Sequence, residues 1–198
     1  MQLIERNHHF CRRIVSNQYI SRLFLRLLAT LFLIIVIGNS AVMAMPDANK
    51  KQTLNENVAR VVSGIISYTH WPATRAVLRL CLVPPSNYIS VLTHINMISD
   101  QTELQIETLN FNAEQLIEKC DVIYYGQIDP LLQQQVINQN NNKPLLTIAE
   151  NNPHCEIGSA FCLNIDSTQA TFSLNLDILT RSGVRVHPNV LQLARKVE

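Results

Sequence analysis

The sequence predicts an α/β domain in which a mainly parallel sheet carries helices on both faces. Short apolar runs alternate with stretches of helical periodicity, which is typical of this class. The spacing of the earlier runs leaves room for the crossover helices that parallel strands need. The last two runs, Phe161–Ile165 and Thr171–Leu176, are instead joined by residues 166–169. So short a link predicts an antiparallel hairpin at the end of the sheet.

The N-terminal residues 1–44 differ in composition from the rest of the chain. A basic segment is followed by an apolar run at 27–37 and by small residues that end at Ala44. These are the three parts of a secretory signal, and the run is shorter than the roughly 20 residues of a membrane-spanning helix. We therefore expect a signal peptide that is cleaved between Ala44 and Met45. An uncleaved membrane anchor is the alternative, because the basic segment is long.

Cleavage leaves residues 45–198, which is the length of one domain. The leader carries five arginines and one glutamate, so the formal net charge falls from +1 to about −3. A mildly acidic domain lacks the basic footprint of nucleic-acid binding, and no nucleic-acid partner is expected.

The first helix is predicted from apolar residues that recur at three- and four-residue intervals from Leu54 onward. It must end before Trp71-Pro72, because proline disfavours a helical residue before it. Gly64 interrupts the stripe and costs about 1 kcal/mol relative to alanine in a helix, which favours close packing there. The polar residues 45–53 are expected to form a loose lead-in.

Strands and helices then alternate. The predicted strands are Leu78–Val83, Leu104–Leu109, Asp121–Tyr125 and Pro144–Ala149. Ser86, Asn112 and the pair Asp129-Pro130 favour helix starts between them. The helices should therefore run from Ser86 to about Met97, over Ala113–Lys119, and from Pro130 to a polar linker that begins at Asn138.

The C-terminal part predicts a helical turn over Asp177–Arg181 that ends at Gly183, and a last helix that opens at Pro188. Together these elements give a three-layer, Rossmann-like arrangement. Neither a G-x-G-x-x-G nor a Walker loop occurs, so no nucleotide cofactor is expected.

Four cysteines follow the leader: Cys81, Cys120, Cys155 and Cys162. An even number in an exported chain indicates disulfides, and four cysteines allow three pairings. Cys155 and Cys162 flank a short loop that closes easily, which favours this pair and leaves Cys81 with Cys120. The strands of this second pair are expected to be neighbours in the sheet, which would bring the two sulfurs within reach.

Other chemistry has little support. One cysteine pair could serve as a redox switch, but no C-x-x-C marks a catalytic pair. The histidines do not follow zinc-ligand spacing, so no metal site is expected. Ser159 does not lie in a G-x-S-x-G motif, so the chain is not expected to be an enzyme.

Two segments are candidates for a partner surface. Tyr68 and Trp71 belong to an aromatic cluster after the first helix, and such residues concentrate binding energy at interfaces. Arg181 and Arg185 lie in a C-terminal run that mixes arginine with leucine, isoleucine and valine. Packing within the core is the alternative for both segments.

Stretches over nearly all of residues 54–196 resemble the YfiR family in the same order. They are Asn-Val-Ala-Arg at 57–60, Ser-Gly-Ile-Ile-Ser-Tyr-Thr-His-Trp-Pro at 63–72, Arg-Leu-Cys at 79–81, Leu-Thr-Ile-Ala-Glu at 146–150, Cys-Glu-Ile-Gly-Ser-Ala-Phe-Cys at 155–162, Asn-Leu-Asp at 175–177, Arg-Ser-Gly-Val-Arg-Val at 181–186 and Leu-Ala-Arg at 193–195.

The resemblance implies a periplasmic repressor that binds the periplasmic domain of the inner-membrane diguanylate cyclase YfiN. It implies that the outer-membrane lipoprotein YfiB sequesters the repressor, and that cyclic di-GMP, biofilm formation and motility lie downstream. It also implies an α/β fold, frequent homodimers and the disulfides Cys81–Cys120 and Cys155–Cys162. The alternative is a periplasmic small-molecule binding protein that uses the cleft at the carboxyl ends of its parallel strands.

Overall fold

The computed structural model describes residue 26 and residues 46–74, 76–95, 103–167 and 169–194. The elements in chain order are α1 (Pro46–Ser67), β1 (Thr69–His70), β2 (Val77–Val83), α2 (Ile89–Leu92), β3 (Glu103–Thr108), α3 (Ala113–Lys119), β4 (Val122–Tyr125), α4 (Pro130–Gln139), β5 (Leu146–Ala149), β6 (Phe161–Ile165), β7 (Ala170–Leu174), α5 (Leu176–Arg181), β8 (Arg185–Val186) and a final 3₁₀-helix (Pro188–Ala194).

Six strands form one sheet in the order β3-β2-β4-β5-β6-β7. All neighbours from β3 to β6 pair in parallel, and β6 pairs with β7 in the antiparallel direction. The predicted fold class, a mainly parallel sheet that ends in an antiparallel hairpin, is confirmed.

Side chains of alternate residues along β2, β4 and β5 enter two separate cores. In β2, Leu80 and Leu82 pack into a core that α1 covers, whereas Cys81 and Val83 pack into a second core with α3 and α4. The period of two in a strand explains this division. Helices therefore cover both faces of the sheet, and the domain has three layers.

Helix α1 begins at Pro46, so the prediction of a loose lead-in over residues 45–53 was wrong. Proline suits the first position of a helix, and no glycine or β-branched residue occurs between Pro46 and Gln52. Gln52 also donates to Glu56 one turn later, at 3.1 Å. Apolar periodicity alone does not detect the polar first half of this helix.

The signal-peptide prediction falls outside the described residues, since the run at 27–37, Ala44 and Met45 all do. Among the helices that are described, none is long and apolar enough to cross a membrane.

Helix α2 is a single turn, whereas the sequence predicted a helix from Ser86 to about Met97. The Ser86 hydroxyl accepts from the Tyr88 amide at 3.0 Å, which forms a turn before the helix. The Thr93 hydroxyl and the His94 ring then bond to the carbonyl of Ser90, at 3.0 and 2.7 Å. Such local bonds compete with helix continuation. Met97 lies outside the described residues.

The C-terminal elements differ from the prediction in detail. Strand β7 ends at Leu174, because Asn175 caps α5 by accepting from the Ile178 amide at 2.9 Å. The last helix opens at Pro188 as predicted but is a 3₁₀-helix. The ribbon of β1 and β8 was not predicted, because two residues are too few to show alternation.

Candidate protein-binding surface

The structure contains the disulfides Cys81–Cys120 and Cys155–Cys162, with Cα–Cα distances of 5.8 and 5.7 Å. Cys81 lies in β2, and Cys120 lies just before β4, the neighbouring strand. Both residues are buried in the second core, so this bridge ties the end of α3 to the sheet.

Lys143 supports the same corner of the fold. Its ammonium donates to the carbonyls of Ile117, Glu118 and Cys120, at 2.6, 2.9 and 2.8 Å. A cation is favourable at a helix C-terminus, where carbonyls lack helical partners. The buried bridge and Lys143 therefore make one structural anchor.

The second disulfide closes a loop that is held on two sides. The side-chain amide of Asn175, just before α5, donates to the carbonyls of Cys155 and Glu156, each at 2.9 Å. The Gly158 amide donates to Gln134 of α4 at 2.8 Å. The loop is therefore fixed against the starts of both α4 and α5.

Gln133 in α4 is fully buried and joins the loop to the interior. Its amide nitrogen donates to the carbonyl of Ile128 at 2.7 Å, and its oxygen accepts from the Ser159 hydroxyl at 2.8 Å and from Asn152 at 3.3 Å. Ser159 is also fully buried. Its hydroxyl therefore serves the structure of the loop at this position.

Exposed apolar side chains occur on the three segments that these bonds connect. Leu131 begins α4, Ile157 lies in the disulfide loop and Leu176 begins α5; they are 68, 37 and 67% exposed. We call these three residues the disulfide-loop surface. Single exposed leucines are common, but apolar groups on connected, rigid segments are typical of a protein-binding site.

The sequence predicted a helix that contains Leu131 and Leu132 but did not predict this surface. In the structure Gln133 and Val136 face the interior, and both leucines are exposed. No local signal in the sequence shows that a glutamine takes the buried position, since its partner Ser159 is 26 residues away.

Tyr68 and Arg185, two of the predicted partner-surface residues, lie at the β1–β8 ribbon. Thr69 pairs with Val186, and the His187 amide donates to the Tyr68 carbonyl at 2.8 Å. The Tyr68 and His187 rings stack with centroids 6.2 Å apart. Arg185 is exposed and Tyr68 is half-buried.

The other two residues predicted for that surface have different surroundings. Trp71 is half-buried and packs against the first core, as the packing alternative expected. Arg181 ends α5, is ion-paired with Asp177 and lines a separate cleft. The four residues therefore do not form one continuous element, and partner binding through them stays a prediction.

The crevice between β2 and β4, at the carboxyl ends of the parallel strands, is filled by the chain itself. The Gln127 amide donates to the Pro85 carbonyl at 2.6 Å. A Cβ at Gly126 would lie only 2.1 Å from the same oxygen. A ligand in this crevice would have to displace backbone, although this is the usual ligand position in such sheets.

A buried polar cluster borders the crevice. Glu150 accepts from the Tyr124 hydroxyl at 3.2 Å and from Gln127 at 2.9 Å. Burial, with a smaller contribution from the Glu150 carboxylate, raises the pKa of Tyr124 well above its ordinary value of 10.0. Tyr124 is therefore a neutral hydrogen-bond donor at physiological pH. Over the part of the chain that the structure describes, no group of three or more His, Cys, Asp or Glu could hold a metal ion.

Comparison with models of known protein families gives a match to this chain. The model of the YfiR/HmsC-like family matches residues 55–195, a span that includes both disulfides, the ribbon and the disulfide-loop surface. This family consists of periplasmic regulators of cyclic di-GMP signalling and is regulatory rather than catalytic. The match covers more than half of the chain and agrees with the α/β fold, and the chain therefore belongs to the YfiR/HmsC-like family.

Proposed function

We propose that this protein is a periplasmic repressor that binds the periplasmic domain of an inner-membrane diguanylate cyclase of the YfiN type and holds the enzyme inactive. Family membership supports the periplasmic, regulatory role. The observation that carries the proposal is the disulfide-loop surface, where Leu131, Ile157 and Leu176 are exposed on segments that a bridge and buried amides hold rigid.

Repression in this proposal is a binding equilibrium. The repressor must bind the inactive cyclase more tightly than the active one, because equal affinity shifts no population. A shift from 1:99 to 99:1 needs a difference of about 5.5 kcal/mol. Burial of one leucine-sized side chain contributes about 1.5–3 kcal/mol. Three such side chains, buried only against the inactive state, would contribute about 4.5–9 kcal/mol, a range that includes this difference.

The other proposed partners, a lipoprotein and a second copy of the chain, follow from the family resemblance alone. A lipoprotein of the YfiB type would release the cyclase by competing for the repressor, and a homodimer would present the surface twice. Lower cyclic di-GMP would reduce biofilm formation and favour motility.

The Cys155–Cys162 bridge gives this proposal a redox dependence. It closes the loop that carries Ile157, whereas Cys81–Cys120 lies in the second core away from that loop. Reduction of Cys155–Cys162 would release the loop from one of its constraints and weaken cyclase binding. Repression should therefore be strongest in an oxidised periplasm.

The test is the level of cyclic di-GMP in cells that express the cyclase with Leu131→Asp or Ile157→Asp repressors. Both variants should raise cyclic di-GMP toward the level of cells without repressor, because a buried charge opposes docking. Gln139→Asp, at the exposed far end of α4, is the matched control and should leave repression unchanged. Normal repression by both test variants at equal protein abundance would refute the surface.

The small-molecule alternative places a ligand at the carboxyl ends of the parallel strands. The contact of Gly126 and Gln127 with Pro85 disfavours the crevice between β2 and β4, because backbone fills it. A pocket of about 400 Å³ that Glu150 and Asn151 line remains beside the carboxyl end of β5.

A further inference from the structure

A cleft of about 630 Å³ lies near the amino end of β5, whereas the filled crevice lies at the carboxyl ends of β2 and β4. Its walls are the end of α4 with the residues that follow it and the end of α5, and Leu145, just before β5, lies between them. This volume is within the range of about 300–1,000 Å³ that is usual for small-molecule sites. None of the residues that line it belongs to the disulfide-loop surface.

The walls of the cleft are unusually rich in neutral polar groups. Asn138, Asn140 and Asn142 lie on the α4 side, and Thr180 and Ser182 lie on the α5 side. Asn138 accepts from Gln134 through its oxygen, which leaves its amide N–H groups available. Ile137 is half-buried at the cleft, whereas Leu145 and Ile178 are almost fully buried behind it.

Arg181 is the cation that lines this cleft. One edge of its guanidinium is held by Asp177, through Nε to the carbonyl and Nη2 to the carboxylate. The side chain is still 54% exposed. Lys143 is close in sequence, but its ammonium is directed to the carbonyls at the end of α3. The cleft thus offers a single oriented fork for an anion.

We propose that this cleft binds a sugar acid, a small molecule with several hydroxyl groups and one carboxylate. The hydroxyls of Thr180 and Ser182 donate to the carbonyls of Leu176 and Leu179, so toward a ligand they act as acceptors. The side-chain amide of Asn138 can donate, and Asn140 Oδ1 is a buried acceptor for which the described residues show no partner. Together these groups match the hydroxyl groups of a sugar. A guanidinium with one open edge matches a carboxylate. The half-buried side chain of Ile137 can pack against the C–H groups of a sugar ring. A purely apolar ligand would leave the buried Asn140 Oδ1 unpaired at a cost in affinity.

The test is isothermal titration of the purified full chain with D-glucuronate, with D-glucose as the neutral match and acetate as the carboxylate without hydroxyls. Glucuronate should bind at least tenfold more tightly than either. Arg181→Gln should reduce this preference about tenfold and leave the melting temperature within a degree or two, because the side chain is on the surface. Arg185→Gln, exposed on β8, is the matched control and should bind glucuronate as wild type does.

Amide chemical shifts locate the site independently. Glucuronate should shift the resonances of residues 138–142 and 180–183 and leave those of 155–158 unchanged. No heat and no shift at millimolar glucuronate, equal affinity for glucose, or wild-type affinity in Arg181→Gln would each overturn the proposal. Cyclase repression is tested with variants of Leu131 and Ile157, and glucuronate binding is tested with a variant of Arg181. Failure of this proposal and failure of the repressor role therefore give different results.

Discussion

Gln133 shows, at the scale of one residue, how a buried polar side chain can fix a surface. It is fully buried, and its amide satisfies a carbonyl in its own segment and two side chains from the loop that follows β5. Leu131 and Leu132, which precede Gln133 in the same helix, are exposed. A leucine at position 133 could fill the space but could not pair these groups.

Gln133→Leu should lower the free energy of unfolding by about 2–4 kcal/mol, because several buried polar groups lose their partner. Gln135→Leu, exposed on the same helix, is the control and should change stability by less than about 0.5 kcal/mol. Urea unfolding under oxidising conditions measures both. Equal stability of the two variants would show that the buried amide is dispensable.

Tyr124 and Tyr125 form a natural pair for comparison, since both are fully buried in β4 on opposite faces. Tyr124 donates to Glu150, whereas no partner for the Tyr125 hydroxyl is found within the described residues. Tyr124→Phe should therefore cost about 1 kcal/mol at pH 7, and Tyr125→Phe should cost almost nothing or stabilise. Thermal or urea unfolding at neutral pH decides between these outcomes.

Alkaline pH should reveal the raised pKa of Tyr124. Its pKa is above 10.0 in the folded protein, mainly through burial, so folding favours the neutral form. That contribution is complete below pH 10.0 and is lost as the pH rises from there toward the folded pKa. Stability should thus fall less steeply in Tyr124→Phe than in wild type as the pH rises above 10.0. Parallel curves would contradict this origin.

At the scale of elements, the sequence predicted the strands and helices whose signals are local. Asn112 and Asp129 cap α3 and α4 as expected, through bonds of 2.9 and 2.7 Å to backbone amides. The strands of the sheet were found from their apolar runs. The first half of α1 and the β1–β8 ribbon were missed, because a polar helix and a two-residue pairing give no periodic pattern. The exposed leucines depend on contacts distant in sequence.

At Gly64, α1 packs closely against Leu193 of the final 3₁₀-helix, which confirms the close packing that the sequence predicted. A Cβ at Gly64 would lie 2.5 Å from Cδ1 of Leu193. Gly64→Ala should therefore destabilise by about 1–3 kcal/mol, although alanine is the better helix former. In a Leu193→Ala background the same change should be neutral or stabilising. A double-mutant cycle by urea unfolding measures this coupling, and additive effects would contradict the contact.

The two disulfides should contribute differently to stability and to binding. Loop entropy predicts a loss of about 4 kcal/mol for Cys81→Ala with Cys120→Ala and about 2–3 kcal/mol for Cys155→Ala with Cys162→Ala. Only the second pair closes the loop that carries Ile157. Removal of Cys155–Cys162 should therefore weaken repression more than removal of Cys81–Cys120 at equal protein abundance, despite the smaller loss of stability. Cyclic di-GMP and protein abundance, measured together, test this; greater loss of repression in the first pair would contradict it.

At the scale of the whole molecule, the amino and carboxyl ends of the parallel strands differ in how open they are to a ligand. At the carboxyl ends, the crevice between β2 and β4 is closed by backbone, whereas the cleft near the amino end of β5 is open and polar. The apolar disulfide-loop surface is separate from both. Such an arrangement suits a protein that binds another protein and leaves a small polar ligand a site of its own.

Direct binding between the purified oxidised chain and the periplasmic domain of a YfiN-type cyclase tests the central claim. We predict saturable binding that weakens at least tenfold in Leu131→Asp, weakens on reduction in wild type, and responds less to reduction once Cys155 and Cys162 are alanines. Gln139→Asp should bind as wild type does. Absence of binding by the folded, oxidised chain would contradict the account. An affinity that neither Leu131→Asp nor reduction changes would contradict it as well.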